Sequence, residues 1–115
     1  MSVEGRFYSY GVAAGADLSG LQYRVINVAG TAIAASNLAA GGVLQNRAQS
    51  GDDATLAYMG EMKAYAGGAI SAGNPLVLTT SGTLQVGSQG IVGKALATAT
   101  SGSLVQFIGN FATAF

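Results

Sequence analysis

Apolar residues in this chain come in short runs, many with a polar residue at every second position, and glycine interrupts them at close intervals. Alternation of period two is the signature of half-buried strands. There are 18 glycines and one proline, which break helices and supply the positive φ that turns and bulges need. Seven strands are expected on this pattern: Arg6–Val12, Leu21–Ala29, Thr55–Ala66, Pro75–Thr79, Thr83–Val86, Ile91–Leu96 and Ser103–Phe111. In the second, Leu21, Tyr23 and Val25 alternate, and the phase then shifts at Val25-Ile26, which points to a bulge or to burial on both faces. In the third, Leu56, Tyr58 and Met62 are expected on one face, with Glu61 and Lys63 breaking the pattern. Ser81-Gly82 reads as the turn of a tight hairpin.

Short strands separated by glycine-rich turns predict an all-β domain, a small sandwich or barrel. The competing element is Thr31–Ala40, where alanine-rich sequence has the propensity for a helix. Ser36-Asn37 and Gly41-Gly42 limit it to two turns. Arg47–Ala54 is the most polar stretch and reads as an exposed loop. A chain of 115 residues supports one modest core, so residues 1–115 are expected to form one domain, with 1–6 as an N-terminal arm and 111–115 as a C-terminal tail.

Composition changes this picture in one respect. Hydrophobic residues are 50% of the chain and charged residues only 9%, against about 25% charged in ordinary soluble domains. Five basic and five acidic residues leave no net charge. Small free domains usually keep their net charge away from zero, so the expectation is a chain that works assembled with neighbours. The balance gives no basic footprint for nucleic acid and no polybasic membrane anchor. Val25–Asn46, Ala64–Gly93 and Ala95–Phe115 carry no charge, but polar residues and glycine dilute each, and no membrane span is expected. Met1-Ser2-Val3-Glu4-Gly5-Arg6 lacks the basic-then-apolar order of a signal peptide, so the chain is expected to stay in the cell that makes it.

Candidate chemistry is sparse. Cysteine and histidine are absent, which removes thiolate metal sites, thiol nucleophiles and the commonest general base. Asp52-Asp53 could hold calcium at an exposed loop, but no third acidic residue lies near it in sequence, and a solvated turn is the simpler reading. Neither Lys63 nor Lys94 sits in a Ser-x-x-Lys arrangement, so no serine has an evident activating base. Ala66-Gly67-Gly68-Ala69 lacks the Lys-Ser/Thr ending of a phosphate-binding loop. No catalytic residue, cofactor site or metal site is expected, and the chain reads as an interaction protein rather than an enzyme. Phe7, Tyr8, Tyr10, Leu104, Phe107, Phe111 and Phe115 are the candidate interface residues, because aromatic residues without interleaved basic ones serve core and interface packing. The segments Met1–Arg6 and Phe111–Phe115 are placed to lie along a neighbour, the alternative being frayed ends without a role.

Several stretches resemble, in collinear order, a group of small tailed-phage head proteins. They are Ala14-Gly15-Ala16-Asp17-Leu18-Ser19-Gly20-Leu21-Gln22-Tyr23, Gly42-Val43-Leu44-Gln45-Asn46 with Ser50-Gly51-Asp52, and Gly60 through Leu76. Ile91-Val92-Gly93-Lys94-Ala95-Leu96 and Ser101-Gly102-Ser103-Leu104-Val105 follow. The resemblance spans about residues 11 to 108, and Ala69–Leu76 also resembles an element of β-clip and β-tulip domains. It implies a capsid decoration (cement) protein on the outer surface of the virion shell, made in the cytoplasm of the host bacterium. The implied partners are the major capsid protein and other copies of itself, as a homotrimer. Two other readings are a head-fibre or tail structural component and, from a different class, a carbohydrate-binding or hydrolytic β module around Asp52, Asp53 and Tyr58.

Overall fold

The computed structural model describes residues 7–34, 40–79 and 81–111. They form eight strands: β1 (Phe7–Ala13), β2 (Val25–Asn27), β3 (Ala40–Leu44), β4 (Asp53–Tyr65), β5 (Pro75–Leu78), β6 (Leu84–Val86), β7 (Ile91–Ala95) and β8 (Leu104–Asn110). Among the described residues there is no helix, and hence none long and apolar enough to cross a membrane. The strands make one antiparallel sheet in the order β2-β3-β4-β8-β7-β5-β6, with β1 also paired to β4. The sheet curls into a half-barrel, as the all-β expectation required. Its far end is tied back: the Gly67 N–H donates to the Leu84 carbonyl (2.7 Å) and the Val25 N–H to the Gly82 carbonyl (2.8 Å).

The thirteen-residue β4 is the spine of this arrangement. At Leu56 and Ala57 it is paired with β1 on one side and β3 on the other, and from Met59 to Tyr65 it pairs with β8. The β1 register slips between Tyr8 and Ser9, leaving Tyr58 without a β1 partner. An extra residue of this kind shifts the phase of every later side chain. Before it, Ala54 and Leu56 face a small core with Leu18, Ile26 and Leu44. Beyond Leu56, Ala57, Met62 and Ala64 face the main core with Val25, Leu76, Leu84, Val105, Phe107 and Phe111. Leu56 and Met62 therefore do not share a face, contrary to the uninterrupted alternation read from the sequence.

The phase shift read at Val25-Ile26 is present. Both residues are fully buried, Val25 in the main core and Ile26 in the small one, with a register slip just after Ile26. The strand expected over Leu21–Ala29 is nevertheless only β2. Leu18–Leu21 and Leu21–Arg24 form a double turn, with the Leu21 N–H donating to Leu18 and the Arg24 N–H to Leu21. Tyr23 sits there at φ +66°, a conformation rare in non-glycine residues. Its backbone is held from two sides, its N–H donating to Leu44 (2.7 Å) and its carbonyl accepting from Tyr65 (3.1 Å).

The alanine-rich stretch is not helical where it is described. The Asn27 N–H donates to Ala32, the Ala34 N–H donates to Val25, Ile33 bridges Ile26, and Ala40 opens β3; residues 35–39 lie outside the described residues. Gly41-Gly42, read as helix breakers, are strand residues. A Cβ on Gly42 would run into the Ala57 carbonyl, and one on Gly41 would lie 2.9 Å from the Val28 backbone. Close approach of three backbones, rather than a turn, demands these glycines. The polar loop ends earlier than expected, since Asp53 and Ala54 already belong to β4. The Ser81-Gly82 hairpin is formed: Gly82 has φ +75° and the Thr79 N–H donates to the Thr83 carbonyl (2.9 Å).

Candidate functional site

In β8, Val105 and Phe107 point into the main core, so alternation turns Leu104, Gln106 and Ile108 outward. Ile108 remains 51% exposed and Leu104 40%. Ile108 stands opposite Glu61 on β4 and opposite Lys94 on β7. An acidic residue, an apolar residue and a basic residue thus form one row across three strands. Strands lie about 4.8 Å apart, so the backbones of Glu61 and Lys94 are about 10 Å apart. Ile91, 51% exposed, extends the apolar part. A shallow groove of about 510 Å³ runs here beside Pro75, Ile91, Lys94, Ile108 and Asn110.

A second hollow, of about 340 Å³, lies toward the other side of β4 between Phe7, Tyr23, Gln45, Glu61, Lys63 and Gln106. The Lys63 ammonium sits 5.8 Å from the centre of the Tyr23 ring, and the Arg24 guanidinium 5.5 Å from that of Tyr65. Arg24 is further held by donating from Nη1 to the Ser81 carbonyl (3.0 Å). These are cation–π contacts that brace the double turn against the sheet. The hollow offers two amides and one charge of each sign, which suits hydrogen bonding to polar groups.

The candidate interface residues divide. Tyr8 is 65% exposed and Leu104 lies on the outer face. Phe7 and Tyr10 are half-buried and pack on the cores. Tyr8 and Tyr10 flank the Tyr58 ring at 6.4 and 5.6 Å, and the Tyr10 hydroxyl donates to the Gly41 carbonyl (3.3 Å). Burial pushes the Tyr10 phenol above its ordinary pKa of 10.0. Phe107 and Phe111 are core residues, packed edge to face at 6.3 Å, and present no ring to a partner. Hydrophobicity alone could not separate them from their outward neighbours. Phe115 lies outside the described residues.

Asp52 is a turn residue: its Oδ2 accepts from the Gln49 N–H (3.1 Å), while Asp53 begins β4. Among the described residues no three acidic side chains gather to hold a metal ion. Asp17 caps the Leu18–Leu21 turn, its Oδ1 accepting from the Ser19 N–H (3.0 Å). Hydrogen bonds from Ser19, side chain first and backbone second, lower its pKa below 3.8. Sequence reading missed Glu61, Ile91, Lys94 and Ile108 as surface residues. The signal available was apolar residues in both phases of the alternation at Leu104-Val105-Gln106-Phe107-Ile108 and Ile91-Val92.

No family model matches the sequence, and no curated protein matches it. Among solved structures, the crystal structure of the head fibre gp8.5 N base of bacteriophage phi29 superimposes with a TM-score of 0.70 at 21% identity. The match covers 91% of this chain and 95% of that one. Over most of its length, therefore, this chain has the fold of a phage head fibre base.

Proposed function

We propose that the chain is a structural protein of a phage virion that binds the outer surface of the capsid and cements neighbouring capsomers, without catalysis. The observation that carries this reading is the fold shared with a head fibre base over 91% of the chain. The collinear resemblance to small head proteins supports it independently, and so does the low charge, which limits the desolvation cost of packing against a neighbour. A subunit that contacts two or three capsomers adds binding energy that is lost when they separate, and its later contacts form at high effective concentration. The major capsid protein is the partner in this reading.

The same fold match favours a second reading, that the chain is itself the base of a head fibre. Both place it on the head, and purified shells distinguish them. Mixed with shells lacking it, the protein should co-sediment at a fixed saturating ratio. Under the cement reading, loaded shells should withstand heating or low salt better than bare ones. Binding with unchanged shell stability would leave the fibre base standing and sink cementing. Failure to bind shells would sink both.

A further inference from the structure

We propose that the free edge of β1 takes up an extended segment of the shell protein as an added strand, held by the backbone groups of Ser9 and Gly11; this rests on the shell-binding reading above. The two ends of the sheet path are covered by the chain itself. Beside β2, the Asn27 N–H donates to Ala32 and Ile33 bridges Ile26, and Leu84 of β6 bridges Ala66. β1 instead pairs with β4 alone. Bonds on the far side of β4 fix which of its groups are left over. The Gln45 N–H donates to the Thr55 carbonyl (2.9 Å) and the Thr55 N–H to Asn46 Oδ1 (3.0 Å), so Thr55 turns away from β1. Alternation then turns Ala54 and Leu56 toward β1, where their register partners are Val12 and Tyr10. The N–H and carbonyl groups of Ser9 and Gly11 point outward, and among the described residues no backbone group meets them.

A free edge is ordinarily guarded by charge, by proline or by shortness. β1 has none of these: Phe7-Tyr8-Ser9-Tyr10-Gly11-Val12-Ala13 runs for seven residues without a charge or a proline. Ser9 and Gly11 are exposed, and Tyr8, 65% exposed, sets an aromatic ring beside them. Strand addition to such an edge draws its affinity from main-chain hydrogen bonds. The extent of the edge selects the occupant. Gly30 closes one end, where a Cβ would lie 3.3 Å from the Ala13 carbonyl oxygen. What remains is too short to bury the roughly 1,200 Å² that a stable pair of copies needs. As one contact among several on a shell the same edge suffices, because the other contacts raise its effective concentration.

The test uses the whole chain and purified shells lacking it. In the free protein, hydrogen exchange should be fast at the Ser9 and Gly11 amides and slow at those of Tyr10 and Val12. On shells, Ser9 and Gly11 should slow by about tenfold or more. Gly11→Pro removes one outward N–H without touching the bonds to β4, and should weaken shell binding about tenfold. Gly11→Ala, whose Cβ would meet only the Ala54 carbonyl oxygen at 4.0 Å, keeps that N–H and should bind within about threefold of wild type. If Gly11→Pro does not fold, as judged by circular dichroism, exchange in the wild type decides alone. Bound protein whose Ser9 and Gly11 amides still exchange fast, or a folded Gly11→Pro that binds as well as Gly11→Ala, would overturn the proposal and leave shell binding intact. Protection of the same amides in the free protein at rising concentration would assign the edge to a second copy and overturn it too. Wild type that fails to bind shells would sink the proposal together with the reading it rests on.

Discussion

Gly93 and Gly109 face each other across the β7–β8 ladder, and the Phe107 ring fills the space that side chains on either would need. A Cβ on Gly109 would lie 2.7 Å from both the Val92 carbonyl oxygen and Phe107 Cε2. One on Gly93 would lie 2.6 Å from the Ile108 carbonyl oxygen and 2.8 Å from Phe107 Cδ2. The ring covers the glycine pair and so closes the main core where the sheet has no side chains of its own. Gly60 lies on the other side of Gly109, which extends the glycine row to a third strand.

Gly109→Ala should destabilise the fold by about 2 kcal/mol, since the clash is with backbone that cannot step aside. Gly68→Ala, whose Cβ would meet nothing within 4 Å, should be close to neutral. Urea unfolding midpoints compare the two directly.

Phe107→Ala should cost about 3–5 kcal/mol, because it removes a fully buried ring and uncovers the glycine pair. Tyr8→Ala should stay within about 0.5 kcal/mol of wild type, as expected for an exposed position. Equal losses at the two sites, read by thermal or urea unfolding, would contradict the division of the aromatic residues into core and surface.

Tyr10 should ionise above the ordinary tyrosine range, because burial penalises the phenolate. The folded pKa is the raised one, so the stability this group contributes is complete below the unfolded value of 10.0 and is lost as pH rises through the folded value. Ultraviolet difference titration of the wild type and of Tyr10→Phe should differ by a late-titrating component, and the substitution should remove that component of alkaline destabilisation.

Asp17 works in the opposite sense. Its folded pKa lies below 3.8 through hydrogen bonds from Ser19. The stabilising contribution is therefore present above pH 3.8 and is lost as pH falls through the folded value. Carboxyl carbon shifts followed by NMR should place the Asp17 midpoint below that of an unstructured peptide carrying the same residues. Asp17→Asn should make unfolding less sensitive to pH in that window.

Much of the fold was legible because its cause is local. Pro75–Leu78, Leu84–Val86, Ile91–Ala95 and Leu104–Asn110 alternate cleanly or sit between turn residues, and each is a strand within a residue or two of its expected bounds. Leu21–Arg24 was misread because the second of two successive turns can carry alternating apolar residues as well as a strand can. Gly41-Gly42 was misread because a glycine pair signals a break in isolation, whereas here it admits the Val28 and Ala57 backbones.

By itself the sequence determined an all-β chain of short strands, poor in charge and without histidine or cysteine, because those properties belong to residue types and to period two. The tertiary structure alone decided which face of each strand looks inward, and so made Phe107 core and Ile108 surface although both are large, apolar and adjacent. It also decided which strands are neighbours, and only the register across β4, β8 and β7 sets Glu61, Ile108 and Lys94 in one row. Alternation along a chain says which residues share a face; pairing between distant segments says what that face meets.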